Sequence, residues 1–133
     1  SSNDSIDNLV AYTRAYALEY FESTGINCHF HFPDSIPNLE MNGEKRRNIF
    51  LSVKEAMTNI IKHAQATEVS ISMSTYNDQL VIEVADNGKG MDIDNTRRFG
   101  NGLSNMRRRM ESINGSLTFQ QHNGTILRFE LAI

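Results

Sequence analysis

The sequence predicts an α+β fold of about five strands and three helices, and three observations predict it. Apolar residues recur at intervals of three and four in three separate stretches, the signature of helices with one buried stripe. Shorter stretches between them alternate apolar and polar, as half-buried strands do. Two junctions between alternating stretches, Asn77-Asp78 and Asn123-Gly124, carry turn residues, so most of the sheet is expected to be antiparallel.

The first helix starts at Ser5 and carries Ile6, Leu9, Val10, Thr13, Tyr16, Ala17, Tyr20 and Phe21; Gly25 stops it. Asn27 to Phe32 then alternate, with Cys28, Phe30 and Phe32 on one side and His29 and His31 on the other. Two histidines at that spacing could hold a metal, but no third ligand lies nearby, and an exposed polar face accounts for them. Pro33 and Pro37 mark a loop from Asp34 to Met41. A long helix follows from an Asn42 cap to about Ala64, with Ile49, Phe50, Val53, Ala56, Met57, Ile60, Ile61 and Ala64 as its apolar stripe. Val69, Ile71 and Met73, then Leu80, Ile82 and Val84, form an antiparallel pair. Residues Asn87 to Asn101 carry little apolar content and are expected to form a mobile loop. Leu103, Met106, Met110 and Ile113 mark the third helix, ended by Asn114-Gly115. Leu117 and Phe119, then Leu127, Phe129, Leu131 and Ile133, supply the last two strands.

The chain has 133 residues, enough for one domain spanning 1–133 with its own core. Its 39% hydrophobic and 22% charged content is that of a globular protein. No apolar run reaches bilayer length, so neither secretion nor direct membrane contact is expected. The single cysteine, Cys28, points to a reducing compartment and reads as a small core residue. A net charge of −3 argues against nucleic acid as a partner, and the arginines at 97, 98, 107, 108 and 109 read as local charge and solvated helix face.

Three features carry chemistry. At about 100° per residue, Glu55, Asn59 and Lys62 fall on one stripe of the long helix, with His63 at its edge. A solvated face is the ordinary explanation, yet Asn is a poor mid-helix residue. Here it stands one turn from both an acid and a base, a grouping suited to a metal and an anion together. Next, Asp86-Asn87-Gly88-Lys89-Gly90-Met91 puts an acceptor carboxylate before two glycines, where a planar base could lie against bare backbone. A calcium loop or a plain turn has the same pattern. Finally, Gly100-Asn101-Gly102 opens the third helix, where free N–H groups and the helix dipole favour an anion.

These segments closely resemble the ATP-binding domain of sensor histidine kinases, within the wider family that includes gyrase, Hsp90 and MutL. Residues 55–64 (Glu-Ala-Met-Thr-Asn-Ile-Ile-Lys-His-Ala) are similar to its N box, 86–91 to its first glycine box, 100–103 to its second, and Gly124-Thr125 to its short Gly-Thr motif. All four stand in the family's order, and the resemblance covers nearly the whole chain. The phrases Lys62-His63-Ala64 and Gly102-Leu103-Ser104-Asn105-Met106-Arg107 are similar to the branch with a short ATP lid, as in nitrate, desiccation and lipid-fluidity sensors.

The resemblance implies a Bergerat-type two-layer sandwich, its mixed, mostly antiparallel sheet packed on three helices. It implies that Asp86 accepts from the adenine exocyclic amine, that Gly88, Gly90 and Met91 lie against base or sugar, and that Thr125 supports that network. It assigns Mg²⁺ to Asn59, phosphate charge to Lys62 and His63, and a phosphate cradle to Gly100, Gly102 and Leu103. Glu55 would assist phosphoryl transfer, with Lys62 and His63 beside it. ATP is the expected ligand, and the expected partners are the histidine-phosphoacceptor dimerisation domain of a parent kinase and, through it, a response regulator. His29, His31, His63 and His122 are followed by Phe, Phe, Ala and Asn, unlike the family's acceptor histidine, so no acceptor is expected in this chain. A cytoplasmic, monomeric domain is implied. The alternatives are an anti-sigma-factor-like serine kinase and a non-enzymatic nucleotide-gated interaction module; a gyrase-like ATPase is disfavoured.

Overall fold

The computed structural model describes residues 5–34, 39–89, 102–121 and 123–133. Helix α1 spans Ile6–Glu22. Strand β1 (Asn27–His31) leads to helix α2 (Gly43–Asn59), which runs on into a π-helical turn, Ile60–Ala64. Then come β2 (Glu68–Tyr76), β3 (Gln79–Asp86), α3 (Gly102–Ser112), β4 (Ser116–Gln121) and β5 (Thr125–Ala132). The sheet order is β1-β2-β3-β5-β4. Only the β1–β2 pair is parallel among the described residues, with α2 as the crossover between them; every other pair is antiparallel. The mixed, mostly antiparallel sheet on three helices is thus as the sequence implies.

Local chemistry sets the ends. Ser5 caps α1 by accepting from the Asn8 N–H, and Asn42 caps α2 by accepting from the Lys45 N–H at 2.8 Å. Gly25 takes φ +79° after α1. Asn77 and Asp78 both have positive φ, the conformation of a two-residue hairpin turn that matches strand twist.

The core lies between the helices and one face of the sheet. Phe21 of α1, Ile49, Val53 and Met57 of α2, and Met106 and Met110 of α3 are all buried. They meet Ile71 and Met73 of β2, Leu80 and Ile82 of β3, and Phe129 of β5 in one cluster. Each such side chain contributes about 1.5–3 kcal/mol when fully buried. The opposite face of the sheet is mostly polar, with Ser70, Ser72, Glu83, Arg128 and Glu130 on it beside buried Val81 and half-buried Ala85 and Ile126. There Arg128 pairs with Glu83 across the strands at 2.9 Å and with Glu130 on its own strand. Helices cover one face only, which is why β2 and β5 alternate cleanly in sequence, whereas β3 carries Leu80, Val81 and Ile82 in succession.

Candidate functional site

Strand β3 delivers Asp86 at its end, paired with Val69 on one side and with Thr125 on the other. The Asp86 carboxylate accepts from the Gly88 N–H at 2.8 Å and is half-buried. Burial pushes its pKa above the ordinary carboxylate value, while the N–H groups of Gly88 and Thr125 pull the other way and only partly offset it. Asp86 is therefore an acceptor whose charge is incompletely solvated. Thr125 is buried opposite it. Gly124 is required beside it, since its φ is +130° and a Cβ there would lie 2.8 Å from the Asp86 carbonyl carbon and 3.0 Å from the Asn87 Cα.

The turn after Asp86 is bound to the segment that leaves the long helix. The Asn87 Oδ1 accepts from the N–H groups of Thr67 and Glu68, each at 2.9 Å, and its Nδ2 donates to Thr67 Oγ1 at 2.8 Å. The Lys89 N–H donates to the Ala64 carbonyl at 2.8 Å. A Cβ on Gly88 would come within 2.7 Å of that carbonyl's carbon. Gly88 is thus explained by packing against the helix end, independently of any ligand. The loop expected to be mobile from Asn87 onward is firmly held through Lys89, because the Asn87 amide finds partners that sequence spacing does not disclose.

The long helix changes geometry where the chemistry begins. After Asn59 it widens to i→i+5 bonding over Ile60–Ala64 and stops at Gln65, which has φ +54°. Such π-turns recur at functional sites. Glu55 and Asn59 are half-buried, not on a solvated face, because the start of α3 packs on them. A Cβ on Gly102 would lie 2.8 Å from Glu55 Oε1 and 3.0 Å from Asn59 Nδ2. Lys62 is exposed in the widened turn and His63 is half-buried. Burial, then the charges of Lys62 and Lys89, hold the His63 pKa below its ordinary value. Lys89, which the sequence reading left without a role, thus stands within electrostatic reach of the same cationic end.

The structure therefore brings Glu55 and Asn59 together with Gly102, and Asp86 together with Gly88 and Thr125. Lys62 and His63 follow from the helix that carries Asn59, and Leu103 is half-buried just inside α3. Gly90, Met91 and Gly100, with the rest of the loop to Asn101, lie outside the described residues, as does His122. Among the described residues no group of three or more His, Cys, Asp or Glu side chains could hold a metal; His29 instead pairs with Glu68 at 2.6 Å. Sequence reasoning missed Asn87, and the available signal was an amide at the mouth of a strand-to-turn junction, where Asn side chains bond nearby backbone.

An acceptor carboxylate at one end, an amide and carboxylate beside a helix N-terminus, and cations at the other end suit a planar base with an anionic tail. Comparison with known proteins points to the same class. The family model for histidine kinase-, DNA gyrase B-, and HSP90-like ATPases matches residues 44–133. The sensor histidine kinase YvfT of Bacillus subtilis is 40% identical over 85 residues, 64% of this chain and 22% of that protein. The oxygen sensor histidine kinase NreB of Staphylococcus carnosus is 30% identical over 123 residues, 90% of this chain and 35% of that protein. The nitrate/nitrite sensor protein NarQ of Escherichia coli is 32% identical over 90 residues, 67% of this chain and 16% of that protein.

Among solved structures, the catalytic domain of histidine kinase ThkA superposes with a TM-score of 0.76 at 16% identity, covering 96% of this chain and 91% of that one. Full-length ShkA in complex with AMPPNP gives 0.73 at 21% identity, covering 96% of this chain and 31% of that one. The chain belongs to the family of histidine kinase-, DNA gyrase B- and HSP90-like ATPases, and the curated relatives named above are sensor proteins, two of them named as sensor histidine kinases. The nitrate- and oxygen-sensor relatives agree with the short-lid branch that Lys62-His63-Ala64 and Gly102 to Arg107 resemble. The chain spans only 16–35% of the length of these three relatives.

Proposed function

We propose that this domain binds ATP with Mg²⁺ and transfers the γ-phosphate to a histidine on a separate dimerisation domain of a parent kinase, for relay to a response regulator. The observation that carries the proposal is the packing of the α3 N-terminus, at Gly102, onto Glu55 and Asn59 of α2. That contact sets an amide, a carboxylate and a helix N-terminus around one position, as anionic phosphates and a hard cation need.

In this reading Asp86 selects adenine, because its carboxylate accepts from an exocyclic amine that guanine lacks at that position. Gly88, Gly90 and Met91 lie along base or sugar, and buried Thr125 holds Asp86 in place. The donor set fits Mg²⁺: Asn59 offers an amide oxygen, and phosphates and water supply the remaining ligands that this ion prefers. Bound with the phosphates, Mg²⁺ would neutralise their charge. Lys62 adds positive charge on the same side, His63 joins it only as bound phosphates raise its pKa, and the N–H groups at Gly100, Gly102 and Leu103 cradle the anion. Glu55 receives or orients the incoming imidazole N–H. Phosphoryl transfer of this kind depends mainly on alignment and charge neutralisation. No helix among the described residues is long and apolar enough to cross a membrane. We place the domain in the cytoplasm, as one monomeric unit over 1–133.

The test is Asn59→Ala. The variant should keep its fold by circular dichroism, lose Mg²⁺-dependent ATP binding, and fail to phosphorylate a supplied acceptor domain. Acid-labile label on the acceptor in the unaltered protein identifies phosphohistidine, whereas acid-stable label would favour a serine kinase. Transfer retained by Asn59→Ala would remove the metal role.

A further inference from the structure

We infer that Asn87 is the positioning residue that fastens the base-selecting turn to the segment leaving the long helix; the inference rests on the adenine-nucleotide reading of the site. The side chain makes three hydrogen bonds to one short segment. Its Oδ1 serves the Thr67 and Glu68 N–H groups, and its Nδ2 reaches Thr67 Oγ1. Its own N–H donates to the Glu68 carbonyl at 3.2 Å. Two residues on, the Lys89 N–H donates to the Ala64 carbonyl. Residues 86–89 are thus fixed to residues 64–68, which continue directly from the π-turn carrying Lys62 and His63.

The consequence is a fixed spacing between the two ends of the site. Asp86 accepts from the Gly88 N–H, so its carboxylate direction depends on where Gly88 sits. Gly88 has no Cβ and would otherwise retain a wide conformational range. An ordered turn spares the nucleotide the entropy of ordering it, which is how preorganisation raises affinity. Asn87 touches neither a base nor a phosphate in this scheme; it acts through Asp86 and the Gly88–Lys89 backbone. Aspartate can replace it in part. Its two oxygens accept the same N–H groups, and the Thr67 hydroxyl can rotate to donate. Alanine can do neither.

The test uses the whole domain with Asn87→Ala, Asn87→Asp and Thr67→Val. Without nucleotide, the Gly88 and Lys89 amides should exchange hydrogen faster in Asn87→Ala and near the unaltered rate in Asn87→Asp. Calorimetric affinity for ATP should fall about tenfold in Asn87→Ala, the size expected for net loss of one or two hydrogen bonds. It should recover to within about threefold in Asn87→Asp, with Thr67→Val between the two. Unchanged exchange at Gly88 and Lys89 in Asn87→Ala would overturn the clamp. Faster exchange with unchanged ATP affinity would overturn the positioning role and leave a purely structural one. Failure of the unaltered domain to bind ATP would overturn the nucleotide reading, and the positioning role with it, while leaving the exchange result intact.

Discussion

Replacing Asp86 by Asn separates what the residue does for binding from what it does to the fold. The Gly88 N–H requires an acceptor at the Asp86 side chain, 2.8 Å away, so the amide oxygen of Asn takes that place. The amide NH₂ is then left facing the position of the adenine amine, donor against donor. A hydrogen bond to a charged acceptor is worth about 1.5–3 kcal/mol, and an unpaired donor costs about 1–3 kcal/mol more. Together they predict a loss of roughly 3 kcal/mol or more, at least a hundredfold in ATP affinity. Stability should move the other way. Burial raises the folded-state pKa of Asp86, so the folded protein holds that proton more tightly than the unfolded chain. Ionised Asp86 consequently costs stability above the raised value, and the cost is relieved as pH falls through it. The Asn variant carries no such cost. It should be at least as stable as the unaltered domain at neutral pH, with the advantage shrinking toward acid. Calorimetric titration with ATP and thermal unfolding at several pH values measure both quantities. Unchanged ATP affinity would refute the assignment of the base pocket.

Two further outcomes follow from the same geometry. Gly124→Ala forces a Cβ against the backbone of Asp86 and Asn87 at φ +130°, where neither partner can yield, and should cost about 2–4 kcal/mol in urea unfolding; an unmoved midpoint would contradict that contact. His63 is held below its ordinary pKa by burial and by Lys62 and Lys89, so its contribution to stability is lost as pH falls below the ordinary imidazole value. Bound phosphates would raise the same pKa, so ATP binding between the two values should take up a fraction of a proton, seen as a buffer-dependent binding enthalpy that His63→Gln removes.

Much of this protein was legible because its sheet is covered on one face only. Val69, Ile71 and Met73 alternate in sequence for the same reason that they are buried in the structure. Local turn chemistry was equally readable: Ser5 and Asn42 cap their helices, and Asn77-Asp78 turns the hairpin. The site was less so. The helical stripe of Glu55, Asn59 and Lys62 was visible as a grouping, but helical spacing alone suggested a solvated face; the start of α3 covers Glu55 and Asn59 and leaves Lys62 exposed. The π-turn at Ile60–Ala64 left no mark in the apolar pattern, since Ile60, Ile61 and Ala64 suit an ordinary helix equally well.

By itself, then, the sequence determined the elements, their order and the chemical types available, because burial periodicity and turn preferences act over a few neighbouring residues. It also carried the order of motifs that places the chain in its family. Tertiary structure alone decided which side chains share a site. Gly88 is close-packed on Ala64, Gly102 on Glu55 and Asn59, and Asn87 bonds across some twenty residues of chain to Thr67 and Glu68. Those partners are set by how β3 and α3 stack against the end of α2, a long-range outcome that no local pattern encodes.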